Sequence, residues 1–114
     1  MKDEDRDAAH LWDMRDFARE VQRLVHRVTL DQLLGNSMRK LALERVLELL
    51  GEAARRVSEN TRRKHPGIDW RRLSGQRNVL AHDYGVIDHR RLYDAAREKI
   101  PLLIAELDRI LGEP

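Results

Sequence analysis

The chain contains no cysteine, so disulfides, thiolate metal sites and cysteine nucleophiles are all excluded. One Phe, two Trp and two Tyr leave a core that must be built mainly from Leu, Val, Ile and Ala. No apolar run approaches the ~20 residues needed to span a bilayer. The stretch from Met1 to Asp7 is charged where a signal peptide needs an apolar segment. The expectation is a soluble, cytoplasmic protein with no membrane partner.

What is present is charge. Charged residues make up 37% of the 114 residues, against roughly 25% in an average globular domain. That composition suits amphipathic helices with solvated outer faces, and the length fits one domain spanning residues 1–114. The formal charge is only +2, but the basic residues are bunched: Arg62, Arg63, Lys64 and His65, then Arg71, Arg72 and Arg77, then His89, Arg90 and Arg91. A local basic surface attracts a phosphate backbone even at small net charge; such residues equally serve as solvated helix faces and loop tips.

Four longer segments carry a helical period, and none alternates as a strand would. The first runs from about Asp5 to Val28, with Leu11, Met14, Ala18, Val21, Val25 and Val28 in one stripe. Thr29 to Leu34 reads as a short helical turn, capped by Thr29 and ended by Gly35. Asn36 or Ser37 caps the next helix, about Ser37 to Ser58, whose apolar positions are Met38, Ala42, Val46, Leu49, Leu50, Ala53 and Val57. Pro66-Gly67 breaks the chain inside a basic loop. Asp69 is a plausible N-cap for a helix from about Trp70 to His82, and Asp88 for a last one from about His89 to Leu111. Pro101 sits inside that last pattern, so a kink near residues 97–101 is expected. The fold class is all-α: an up-down bundle of four long helices and a short one.

One stretch departs from the amphipathic routine: Gly75-Gln76-Arg77-Asn78-Val79-Leu80-Ala81-His82-Asp83-Tyr84-Gly85. On a helix Asn78 and His82 share a face, whereas Arg77 and His82 stand about 140° apart around the axis. The pair converges on one phosphate only through the length of the Arg side chain or a second surface closing over the site. A neutral His near its ordinary pKa of ~6.5 can take the proton of an RNA 2′-hydroxyl. A guanidinium can hold the phosphate through two parallel hydrogen bonds and offset charge building on its oxygens. An Asn amide can orient base or phosphate. The alternative is structural: a His at a helix C-terminus often serves the helix dipole.

The string Arg77-Asn78-Val79-Leu80-Ala81-His82-Asp83-Tyr84 resembles the motif of the HepT-like toxins of the HEPN superfamily: Arg, four residues, His, one residue, Tyr. Leu50-Gly51-Glu52-Ala53-Ala54, Ile68-Asp69-Trp70-Arg71 and Gly85-Val86-Ile87-Asp88 are similar to that family too, so the resemblance runs from about Met38 to the C-terminus. It implies a HEPN-like helical bundle that dimerises, with the motifs of two protomers lining a shared cleft. It makes Arg77 and His82 the catalytic pair of a metal-independent endoribonuclease, with Asn78 supporting and Asp83 at a variable position. It further implies a toxin–antitoxin setting in which a minimal nucleotidyltransferase (MntA-like) silences the toxin by transferring AMP to Tyr84. Phosphate added there would oppose an incoming RNA phosphate by like charge.

Other features carry two readings each. Glu52 is either an acid orienting Arg77 or His82 from behind, or an exposed partner of Arg55 or Arg56. Trp12 and Trp70 can stack on bases, or anchor the core or an interface. Tyr93 is a weaker alternative modification site. None of the five histidines forms an i, i+4 pair, so neither a metal nor another cofactor is expected. Two other functions fit the same residues: a non-catalytic RNA- or nucleotide-binding module, and a helical scaffold for the nucleotidyltransferase.

Overall fold

The computed structural model describes residues 3–75 and 87–112, and those residues are helical with no strand among them. The elements are α1 (Asp3–Val25), α2 (Leu30–Leu34), α3 (Ser37–Arg56), α4 (Glu59–Lys64), α5 (helical over residues 70–75), α6 (His89–Glu98) and α7 (Ile100–Leu111). α1 is the central element, packed against α3 on one side and α7 on another, and α6 lies against both α1 and α7. Its stripe of Leu11, Met14, Ala18, Val21 and Val25 is fully buried, as the spacing of threes and fours requires. α1 stops at Val25 rather than Val28, because Arg27 takes a left-handed φ of 55° that a helix cannot continue through.

The helix starts follow side-chain chemistry. Thr29 and Gln32 form a reciprocal capping box at α2, while Asn36 caps α3 and Asp88 caps α6. Asp69 Oδ1 accepts from the Arg72 N–H at 3.1 Å at the start of α5. The pattern from His89 to Leu111 divides at Lys99 into α6 and α7. Pro101 explains the break: it has no N–H to donate back into the preceding turn.

Two expectations need correction. Of the apolar positions expected on α3 and its cap, Leu50, Ala53 and Val57 are buried and Val46 packs against the core, but Met38 is 82% exposed, and Leu43, Leu47 and Ala54 complete the inward face. The helix carries two overlapping apolar registers, and α1 packs on the one that holds Leu43 and Leu47, which leaves Met38 outside the core. The basic stretch after Ser58 is also not all loop, since Glu59–Lys64 form α4. That turn has no apolar period; it is set by the Ser58 cap and by the buried Thr61. Ser58 and Thr61 both donate through their hydroxyls to the buried Asp7 carboxylate of α1, which also accepts from the Ser58 N–H at 2.9 Å.

A second buried polar tie joins α1 to α7. The Asp108 carboxylate lies 3.7 Å from Arg15 and 3.2 Å from Arg19, and the Arg15 guanidinium stacks over Trp12 at 4.1 Å. Arg15 is only 6% exposed, so its charge depends on a nearby carboxylate. Asp108→Ala is expected to destabilise the fold by about 1–3 kcal/mol, because Arg15 and Arg19 lose the carboxylate they share. Urea unfolding reads this as a shift in midpoint at unchanged slope; a shift worth under about 0.5 kcal/mol would show that the pair contributes little.

Candidate active site and its supports

The residues expected to carry chemistry, Arg77, Asn78, His82, Asp83 and Tyr84, lie outside the described residues. What the structure defines is how the chain is held on either side of them. Upstream, Ile68 and Leu73 are buried, and the Trp70 indole N–H donates to the His65 carbonyl at 3.0 Å. Trp70 is half-buried against the core, and the Arg62 guanidinium stands 5.9 Å from its ring centroid. Arg62 in turn donates to the carbonyls of Ala54 and Arg55 at 3.1 and 2.8 Å, satisfying the end of α3. Of the two readings of Trp70, the anchor is the one its contacts describe.

Downstream, Ile87 packs against the core, Asp88 caps α6, and Leu92 is buried. His89 Nε2 lies 2.7 Å from Glu44 Oε1, joining the first residue of α6 to α3. The Tyr93 hydroxyl donates to the Val28 carbonyl at 2.5 Å, so this tyrosine ties α6 to the connection between α1 and α2. Nothing in the sequence pointed to the Glu44–His89 contact, since its members are 45 positions apart. Both flanks of the motif segment are therefore fixed by core side chains and by hydrogen bonds to distant elements. Catalytic groups are commonly carried on segments held this way by a rigid scaffold.

Glu52 is the one member of the expected site among the described residues. It lies on α3 with a side chain 37% exposed, and its Oε1 stands 3.5 Å from Arg56 Nη2, one helical turn on. The basic clusters are only partly occupied: Arg63 pairs with Glu59, and Arg62 closes the end of α3, while Arg71, Arg90 and Arg91 are exposed. Among the described residues no helix is long and apolar enough to cross a membrane.

Comparison with known proteins assigns the family. The family model "Ribonuclease HepT-like" matches residues 14–110. The protein named "Putative RNase MJ1380" of Methanocaldococcus jannaschii is 31% identical over 100 residues, covering 88% of this chain and 92% of that protein. "Probable ribonuclease HepT" of Thermococcus cleftensis is 27% identical over 101 residues, covering 89% and 92%. "Putative RNase TTE0752" of Caldanaerobacter subterraneus is 27% identical over 101 residues, covering 86% and 90%. No solved structure matches. The family match spans α3, α5 and α6 together with the motif segment between them, and the chain belongs to the HepT-like ribonuclease family.

Proposed function

We propose that this HepT-like ribonuclease is the toxin of a toxin–antitoxin pair, a metal-independent endoribonuclease acting through Arg77 and His82 at the cleft of a homodimer. The observation that carries the reading is the ordered set Arg77, His82 and Tyr84 inside a stretch matched by the ribonuclease family over residues 14–110. His82, as the neutral imidazole, takes the proton of the RNA 2′-hydroxyl while the 2′-oxygen attacks phosphorus. The P–O5′ bond breaks, the 5′-oxygen takes up a proton, and the products are a 2′,3′-cyclic phosphate and a 5′-hydroxyl. Arg77 holds the phosphate by its two-pronged fork and offsets the charge that grows on the non-bridging oxygens. Asn78 and Asp83 orient the strand, and Glu52 supports the pair from α3. DNA is not a substrate of this chemistry, because it lacks the internal nucleophile.

Silencing acts on Tyr84. Its phenolic oxygen attacks the α-phosphorus of ATP in the active site of a nucleotidyltransferase antitoxin; the new O–P bond forms, pyrophosphate leaves, and the phenolic proton passes to solvent. The added phosphate places negative charge two residues from His82 and repels the RNA backbone.

Induced expression of the parent and His82→Ala, each alone and beside a nucleotidyltransferase of the minimal type, tests both halves. The parent alone is expected to arrest growth and the variant is not. Co-expression relieves the arrest, with a mass gain of whole AMP units that is absent from Tyr84→Phe. Arrest by both proteins would remove His82 from the mechanism. Relief of arrest without added mass would remove the modification.

A further inference from the structure

α5 and α6 face each other across a cavity of about 450 Å³, with Arg72 and Gly75 on one wall and Arg91, Ala95, Glu98 and Lys99 on the other. Arg72 and Gly75 are three apart, and Arg91, Ala95 and Glu98 are four and three apart, so each wall is one face of a helix. Three cations and one carboxylate give the walls a net charge of +2 by simple subtraction. None of the three cations makes an ion pair with a described carboxylate, although salt bridges occur elsewhere on the surface. Among the described residues, a Cβ placed on Gly75 would meet nothing within 4 Å.

Like charges gathered around a partly enclosed space repel one another, and an anion with several acceptor oxygens offsets that repulsion. A phosphate suits the donor set: planar guanidinium forks from Arg72 and Arg91, and the compact point charge of Lys99. Leu92 and Ala95 add apolar surface to the lining. Gly75, on the cavity wall, precedes Arg77 by two residues in the sequence.

We propose that the cavity between α5 and α6 is a subsite for a non-scissile phosphate of the RNA strand, gripped by Arg72, Arg91 and Lys99. The proposal rests on the ribonuclease reading above and adds to it where the strand runs outside the cleaved linkage. The contact carries affinity and register, with no readout of base identity.

The test is equilibrium binding of a fluorescent 12-nucleotide single-stranded RNA to the full chain, with His82→Ala as the parent so that the probe stays intact. Affinity is followed between 50 and 200 mM salt for three proteins: that parent, the parent with Arg91→Gln and Lys99→Gln, and the parent with Arg72→Gln. Arg91 and Lys99 are exposed, so their pair of changes leaves the fold standing even if Arg72→Gln does not. The double change is expected to raise Kd about tenfold at 100 mM salt. It also flattens the plot of log affinity against log salt by about 0.7, the slope due to one phosphate of a single strand. An unaltered Kd and slope overturn the proposal, and so does an equal loss from Arg23→Gln with Arg27→Gln, a pair of exposed cations remote from the cavity in sequence. Failure of the catalytically intact chain to cleave RNA, together with failure of the His82→Ala parent to bind it, overturns the ribonuclease reading itself. Cleavage and binding that survive while the cavity variants bind as tightly overturn the subsite alone.

Discussion

Replacing His82 with Ala is expected to slow RNA cleavage by about 10²–10⁴-fold, the range a positioned general base contributes. In barrier terms this is about 3–5 kcal/mol, at 1.36 kcal/mol per tenfold. Arg77→Ala is expected to cost a similar amount through a different step, since the guanidinium offsets charge that exists only as the transition state forms. The two losses are not additive when both groups serve one proton transfer and one phosphorane-like charge distribution. The double variant should then lie within about tenfold of the worse single variant. Arg77→Lys separates charge from shape: a lysine restores part of the attraction but not the bidentate fork. Single-turnover cleavage of a labelled RNA reads the parent and all four variants. An Arg77→Lys rate equal to the parent's would show that only the charge at position 77 is used.

The largest expected effect on stability lies far from the motif in sequence. Asp7 is 3% exposed and accepts from the Ser58 N–H and from the hydroxyls of Ser58 and Thr61. It thereby ties the beginning of α1 to the cap of α4. Asp7→Ala leaves those donors buried without their acceptor, at about 1–3 kcal/mol for each such group before the structure relaxes. The expected total is about 3–5 kcal/mol, a fall in Tm of about 10–20 °C for a domain of this size. Burial on its own raises the carboxyl pKa; the hydrogen bonds from Ser58 and Thr61, with the nearby His10, outweigh it and hold Asp7 below its ordinary value of 3.8. A carboxyl with a lowered folded pKa contributes stability that is present above its unfolded value and lost as pH falls through the folded one. The stability gap between parent and Asp7→Asn is therefore expected to be wide at pH 7 and to narrow below about pH 3.8. Urea unfolding at pH 7 and pH 3 measures it, and a gap independent of pH would show that the charge of Asp7 is not what the donors hold.

The stripe of α1 was legible because its apolar positions leave a single register from Leu11 to Val25. The caps Thr29, Asn36, Asp69 and Asp88 were legible because capping is a local bond, made within three residues. α3 was misread for the opposite reason. Its apolar registers overlap, and only the approach of α1 selects Leu43 and Leu47 over Met38. The Asp7–Ser58–Thr61 cluster and the Glu44–His89 contact join residues 45 to 54 positions apart, which no local pattern encodes. The candidate site was legible only as an ordered set in the sequence, Arg77, His82 and Tyr84, within the stretch that the family matches. Its supports were not, because Trp70, Arg62 and Tyr93 act through carbonyls of His65, Ala54 and Val28 that only the folded chain brings near.

The central claim is that RNA is cut by its own 2′-hydroxyl with His82 as base, and the ends of the products test it most directly. Purified parent and His82→Ala are incubated with a labelled RNA in excess chelator, and the termini are identified by phosphatase and kinase treatment with mass spectrometry. The account predicts 2′,3′-cyclic phosphate and 5′-hydroxyl ends from the parent, with almost none from the variant. Ends bearing a 5′-phosphate, or cleavage by His82→Ala at the parent rate, would contradict it.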